Sequence, residues 1–128
     1  MIKGLLIGHG KLPDTLLEVV HSIFGKVIDF KIVSNQGCAS EQELSRRVDD
    51  ALNRLGGGET IVFVDLYGGS CAKVGNRLLE RKLPVVVICG VNLPMLVKYF
   101  SYRNRVNFDE LVELVKKAGK EEIKTIEG

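Results

Sequence analysis

Two titratable side chains stand where apolar runs stop. His9 follows Gly4-Leu5-Leu6-Ile7 and Gly8, and Asp65 follows Thr60 to Val64. A carboxylate bonded to one imidazole nitrogen fixes the tautomer and leaves the other nitrogen with its lone pair, which is how a histidine is made nucleophilic. Next to Asp65, Gly68-Gly69-Ser70 opens a helical stretch. Free amides and a hydroxyl at such a turn form an anion site of the kind that holds phosphate. Gly8 and Gly10 flank His9; with no Cβ there, another group can approach the ring closely. Each feature alone also fits a structural role: a buried histidine, a turn aspartate, an ordinary helix cap. Their joint placement carries the chemical reading.

That placement depends on the elements around it. A short apolar run closed by glycines, Ile2 to Gly10, reads as a strand buried on both faces. Lys11 to Phe24 repeats Leu16, Leu17, Val20, Ile23 and Phe24 at helical spacing, with Pro13-Asp14 in its first turn and Gly25 as its stop. His21 shares the opposite face with Asp14 and Glu18, which makes it a solvated surface residue. Val27 to Val33 is expected as the second strand, and Ser34 to Gly37 as its loop. Ser40-Glu41-Gln42-Glu43 is a capping box for a helix whose stripe is Leu44, Val48, Ala51, Leu52 and Leu55, ended by Gly56-Gly57-Gly58.

Thr60 to Val64 is the third strand and Cys71 to Arg81 the third helix. Val85 to Cys89 is the fourth strand, within an apolar run that starts at Leu83. Asn92 with Pro94 starts a helix over Met95 to Tyr102, and Asn107 starts another over Asp109 to Ala118 that Gly119 stops. Glu122 to Glu127 is left as a short extended tail. Strand and helix alternate as crossover units require, which predicts an α/β three-layer sandwich around a mainly parallel sheet. With strand order 2-1-3-4, strands 1 and 3 flank the switch point, and His9 and Asp65 face each other beyond their carboxyl ends.

A chain of 128 residues fits one domain, 1–128. A net charge of +2 without a lysine- or arginine-rich run argues against a nucleic-acid partner. The longest apolar run, Leu83 to Cys89, falls well short of the ~18 to 20 residues of a spanning helix, and no secretory signal is legible, so a cytoplasmic protein is expected. Cys38, Cys71 and Cys89 lack metal-ligand spacing and are expected as reduced thiols, with Cys89 in the core. Cys71 stands at a helix start, a position that lowers a thiol pKa.

Several sharper classes fail on the residues. The last glycine of a dinucleotide fingerprint is Pro13 here, and no Gly-Lys-Ser or Gly-Lys-Thr occurs. A receiver domain phosphorylated on Asp65 needs acidic residues after the first strand, where Gly8-His9-Gly10 stands. A serine hydrolase using Ser70 needs a late histidine, and none follows His21.

Three stretches in order resemble the mannose-type IIA domains of the bacterial phosphoenolpyruvate-dependent sugar phosphotransferase system. They are His9-Gly10-Lys11-Leu12 with Leu16-Leu17 behind it, Asp65-Leu66-Tyr67-Gly68-Gly69-Ser70, and Gly90-Val91-Asn92-Leu93-Pro94-Met95-Leu96. The similarity extends over Phe108 to Ile123. The resemblance implies that His9 takes a phosphoryl group on Nε2 from the phosphohistidine of HPr and passes it to a IIB component, which serves a membrane IIC/IID permease. It further implies that Asp65 holds Nδ1, that Ser70 and the amides of Gly68, Gly69 and Gly10 bind the phosphoryl oxygens, and that no cofactor or metal takes part. It also implies a homodimer, not membrane-embedded, in which the tail, residues 120–128, is exchanged as a short C-terminal strand.

Two positions depart from the family pattern. Cys71-Ala72-Lys73 replaces the usual Pro-Phe-Asn, and Gly8 stands where Thr or Ser is common. Lys11 and Lys73 add positive charge near the site, or are ordinary solvated lysines. Two other functions fit the same residues: a regulatory module whose phosphorylation state a partner reads, and a phosphoryl donor subunit for a dihydroxyacetone kinase. Gly90 to Pro94 argues against the last.

Overall fold

Leu5, Leu6 and Ile7 are all inaccessible to solvent, so the first strand has no wet face and must lie in the middle of a covered sheet. The computed structural model describes residues 1–81 and 84–128. It places β1 (Lys3–Gly8) between β2 (Phe30–Ser34) and β3 (Thr60–Val64), with β4 (Val85–Cys89) beyond β3. All three pairings are parallel and the order is 2-1-3-4, as the sequence predicts. The register sets Ile7 opposite Val64, which brings the carboxyl ends of β1 and β3 side by side.

The helices form the two outer layers. Leu5, Ile7, Val62 and Val64 pack with Leu44, Val48 and Leu55 of α2 (Glu41–Leu55) and with Cys71 and Val74 of α3 (Ser70–Arg77). On the other face, Leu6, Ile61, Phe63 and Ile88 pack with Val20 of α1 (Leu12–Phe24), Leu96 and Tyr99 of α4 (Leu93–Tyr102), and Leu111 and Val115 of α5 (Phe108–Glu121). Gly4 lies on that second face, where an added Cβ would stand 2.6 Å from Phe30 Cδ2 and 2.8 Å from the Tyr99 hydroxyl. Tyr99 cannot retreat, because its hydroxyl donates to the Ile2 carbonyl at 2.8 Å in the core. The Gly4→Ala variant is therefore expected to lose about 1 to 3 kcal/mol of stability by overpacking, measured by urea unfolding.

The helix starts follow local chemistry. Ser40 Oγ accepts from the Glu43 amide at 3.2 Å, and Glu43 accepts from the Ala39 amide at 2.9 Å, closing the expected box one residue further out. That bond to Ala39 holds the Glu43 carboxyl below its ordinary pKa. Asn92 accepts from the Met95 amide and Asn107 from the Glu110 amide, as their cap positions predict.

Several ends differ from expectation. β2 starts at Phe30 rather than Val27, because Asp29 takes a left-handed φ of 55° that breaks the extension. The third helix starts one residue early, at Ser70, and gives way after Arg77 to a 3-10 turn over Leu78–Glu80, so its expected end at Arg81 is not helical. Gly119 does not stop α5, which runs to Glu121. Its lack of a Cβ serves close packing instead: an added Cβ would stand 2.8 Å from Met95 Cγ. Leu83, the first residue of the apolar run, lies outside the described residues. The expected C-terminal strand is not formed within one chain. Residues 123–128 have no ladder partner in a single copy, and Ile123 and Ile126 are 85% and 99% exposed.

Candidate active site

The crevice beyond β1 and β3 is built from three turns. His9 leaves the end of β1 and Asp65 the end of β3, and the two side chains meet: Nδ1 lies 2.8 Å from Asp65 Oδ2. The same oxygen accepts from the His9 backbone amide at 2.9 Å, while Oδ1 accepts from the Leu66 amide at 2.9 Å. Three donors thus hold a carboxylate whose side chain is only 7% exposed, against 39% for His9. An acceptor-only group at Nδ1 puts the ring proton there and leaves Nε2 with its lone pair.

Gly69 closes over that free nitrogen. With φ of 92° it takes a turn that favours glycine, and an added Cβ would stand 3.8 Å from Nε2. It is also the N-cap of α3, whose first turn has no side-chain cap. Ser70 begins that helix, so amide dipoles start directly beside Nε2. Gly68 lies one residue further out, on the exposed part of the loop.

Gly10 departs from its expected part in binding phosphoryl oxygens. It turns the chain with φ of 58°, and its amide already donates to Asn35 Oδ1 at 3.0 Å. The Gly10 carbonyl accepts from Ser34 Oγ, and the Gly8 carbonyl from the Asn35 amide at 3.1 Å. The His9 turn is therefore tied to the end of β2 by Ser34 and Asn35, which the sequence places in the loop after the second strand. The signal for them is that they follow the strand that the order 2-1-3-4 sets beside β1.

The remaining candidates sit apart. His21 lies in the last turn of α1, about 14 Å along the helix from its start beside His9. Lys73 is a surface lysine, 69% exposed and 3.7 Å from Glu41. Cys71 is fully buried, and burial, with the Asp65 carboxylate adding to it, pushes its thiol up to about 11. This corrects the expectation from its helix-start position, since desolvation of the thiolate outweighs the dipole. Burial raises the Cys89 thiol as well. Among the described residues, one group of metal-donor side chains comes together: His9, Asp65 and Cys71.

Comparison with known proteins bears on this arrangement. A sequence profile for EIIA-man, described as "PTS system fructose IIA component", matches residues 4–116. The chain belongs to the EIIA-man family. The family is one of IIA domains of the sugar phosphotransferase system. The mannose-specific EIIAB component of Escherichia coli K12 is 30% identical over 129 residues, covering 98% of this chain and 40% of that protein. The chain therefore spans about two fifths of the length of that relative. The sorbose-specific EIIA component of Lacticaseibacillus casei is 26% identical and aligns over 94% of this chain and 87% of its own. Among solved structures, EIIA from Streptococcus agalactiae superposes with a TM-score of 0.90 at 26% identity, covering 98% of this chain and 97% of that one. The mannose/sorbose-specific IIA subunit from Enterococcus faecalis gives 0.88 at 25% identity, covering 99% and 96%.

A Cβ at Gly8 would stand 3.0 Å from Pro13 Cγ and 3.4 Å from Asp65 Oδ2, so a side chain there needs the start of α1 to give by a few tenths of an ångström. No helix among the described residues is long and apolar enough to cross a membrane.

Proposed function

We propose that this EIIA-man chain is a histidine phosphocarrier. His9 Nε2 attacks the phosphorus of the phosphohistidine on HPr, the donor P–N bond breaks as the new one forms, and a IIB component later takes the group in the reverse sense. The observation that carries this reading is the 2.8 Å contact between His9 Nδ1 and Asp65 Oδ2, which leaves Nε2 free beside Gly69. Asp65 keeps the Nδ1 proton in place and stabilises the imidazolium as positive charge grows on the ring. The uncapped first turn of α3, with the Ser70 hydroxyl, offers donors to the equatorial oxygens of the transferring group. Catalysis then rests on in-line positioning and oriented dipoles, with no cofactor or metal in the step. Onward transfer serves a IIC/IID permease, and the relay runs in the cytoplasm.

The direct test is incubation with phosphoenolpyruvate, enzyme I and HPr, followed by a candidate IIB. Label should appear on the chain and then leave it. Label that stays, whichever IIB is added, favours a regulatory module instead.

The carrier works as a homodimer in which residues 122–128 add a strand to the partner's sheet. Support comes from the open edge of β4, along which a groove of about 530 Å³ is lined by Val86, Ile88, Met95, Val112 and Ile123. A sheet edge and two exposed isoleucines in one chain are both covered if the same element is exchanged twice. Because α5 runs to Glu121, the exchanged part is shorter than residues 120–128. Removing residues 122–128 is expected to halve the sedimenting mass from two chains to one. A truncated chain that stays dimeric, or a full-length monomer, overturns the exchange.

A further inference from the structure

We propose that His9, Asp65 and Cys71 bind a thiophilic divalent cation of the zinc class, and that its binding switches the phosphoryl acceptor off. The switch rests on the phosphocarrier reading; the binding does not. One ligand atom from each of the three side chains lies within 4.8 Å of the others. Zinc bonds of about 2.0 to 2.3 Å set tetrahedral donors about 3.3 to 3.6 Å apart, so closure needs shifts on the order of 1 Å. The donors come from three elements, the turn after β1, the end of β3 and the first turn of α3, and converge at one point. His9 is the most exposed of the three, so the ion reaches the site past its ring. A nitrogen, a carboxylate and a sulfur suit zinc or cadmium, whereas magnesium and calcium prefer oxygen ligands throughout.

The chemistry balances on one proton. A coordinating thiol is deprotonated by the ion, so Cys71 releases its proton to solvent despite its buried position. Nδ1, already turned toward Asp65 Oδ2 at 2.8 Å, ligates through its lone pair. The ring proton then sits on Nε2. A protonated Nε2 has no lone pair with which to attack phosphorus, and removal of the ion returns the proton to Nδ1 and restores the nucleophile.

Cadmium chloride titrated into the full chain, with no phosphoryl donor present, reads the site through the ultraviolet sulfur-to-cadmium charge-transfer band. A saturable band at one ion per chain is expected, displaced by zinc. It should vanish in Cys71→Ala, shift to at least tenfold weaker binding in Asp65→Asn, and persist in Cys38→Ala and Cys89→Ala. Cys71→Ser replaces the alanine variant if circular dichroism shows that one unfolded. No band, or a band that survives both Cys71 substitutions, overturns the site. In a second arm, equimolar zinc should slow phosphorylation by phospho-HPr at least tenfold, reversibly with chelator, and leave the Cys71→Ala rate at its own zinc-free value. Equal inhibition of both proteins overturns the switch. A zinc-free chain that takes no phosphate overturns the carrier reading and the switch with it, while the cadmium band still decides the site.

Discussion

His9→Gln is expected to take up no phosphate from phospho-HPr, while His21→Gln is labelled at the wild-type rate. Glutamine keeps a polar side chain of similar reach, but its amide nitrogen has no lone pair available to form a P–N bond. The loss should therefore be complete rather than partial, because among the described residues His9 is the side chain within 4 Å of the position a Gly69 Cβ would take. His21 lies in the last turn of α1, away from the strand ends, and among the described residues it makes no ion pair of the kind that joins His9 to Asp65. Quantifying acid-labile, base-stable label on the two variants checks both halves. Label persisting on His9→Gln, or lost from His21→Gln, refutes the assignment.

Asp65→Asn should leave the chain folded and slow transfer by roughly two to three orders of magnitude. The size follows from the hydrogen bonds that the carboxylate makes. Oδ2 accepts from the His9 backbone amide and from Nδ1, and Oδ1 accepts from the Leu66 amide, so both oxygens accept. An asparagine has one acceptor and one donor for the same places. With its NH2 toward Nδ1, it forces the ring proton onto Nε2 and removes the nucleophile. With its oxygen toward Nδ1, it sets an NH2 against the Leu66 N–H and still lacks the charge that stabilises an imidazolium. Single-turnover transfer from phospho-HPr measures the rate, and a urea midpoint close to wild type separates chemistry from folding. An unchanged rate shows the pairing to be incidental.

The legible parts of the fold were those written in local chemistry. Ser40, Asn92 and Asn107 cap the helices their positions predict, because a cap needs only a side-chain oxygen and an amide three residues on. The glycines were harder, since one residue type serves two purposes. Gly56 does end α2 in the left-handed region, but Gly119 is the point where α5 comes close to Met95 of α4. Nothing nearby in the sequence separates a helix stop from a close approach. Asp29 was equally opaque: its positive φ cuts β2 short inside a run that reads as strand.

Strand periodicity and crossover spacing by themselves determined the α/β class, the positions of β3 and β4, and the placing of His9 and Asp65 at strand ends. The reason is that burial on both faces of a parallel sheet demands short continuous apolar runs, and those are visible residue by residue. Tertiary structure alone decided which groups those ends would meet. It set Ser34 and Asn35 against the His9 turn, committed the Gly10 amide to Asn35, and buried Cys71 next to the carboxylate. The contacts of Ser34 and Asn35 with the His9 turn, and the His9–Asp65 pair itself, join residues 24 to 56 positions apart along the chain. They arise only once β2 and β3 have docked on either side of β1, so no local pattern encodes them. The same docking reverses the expected lowering of the Cys71 pKa, because desolvation depends on what packs over a thiol and not on its neighbours in sequence.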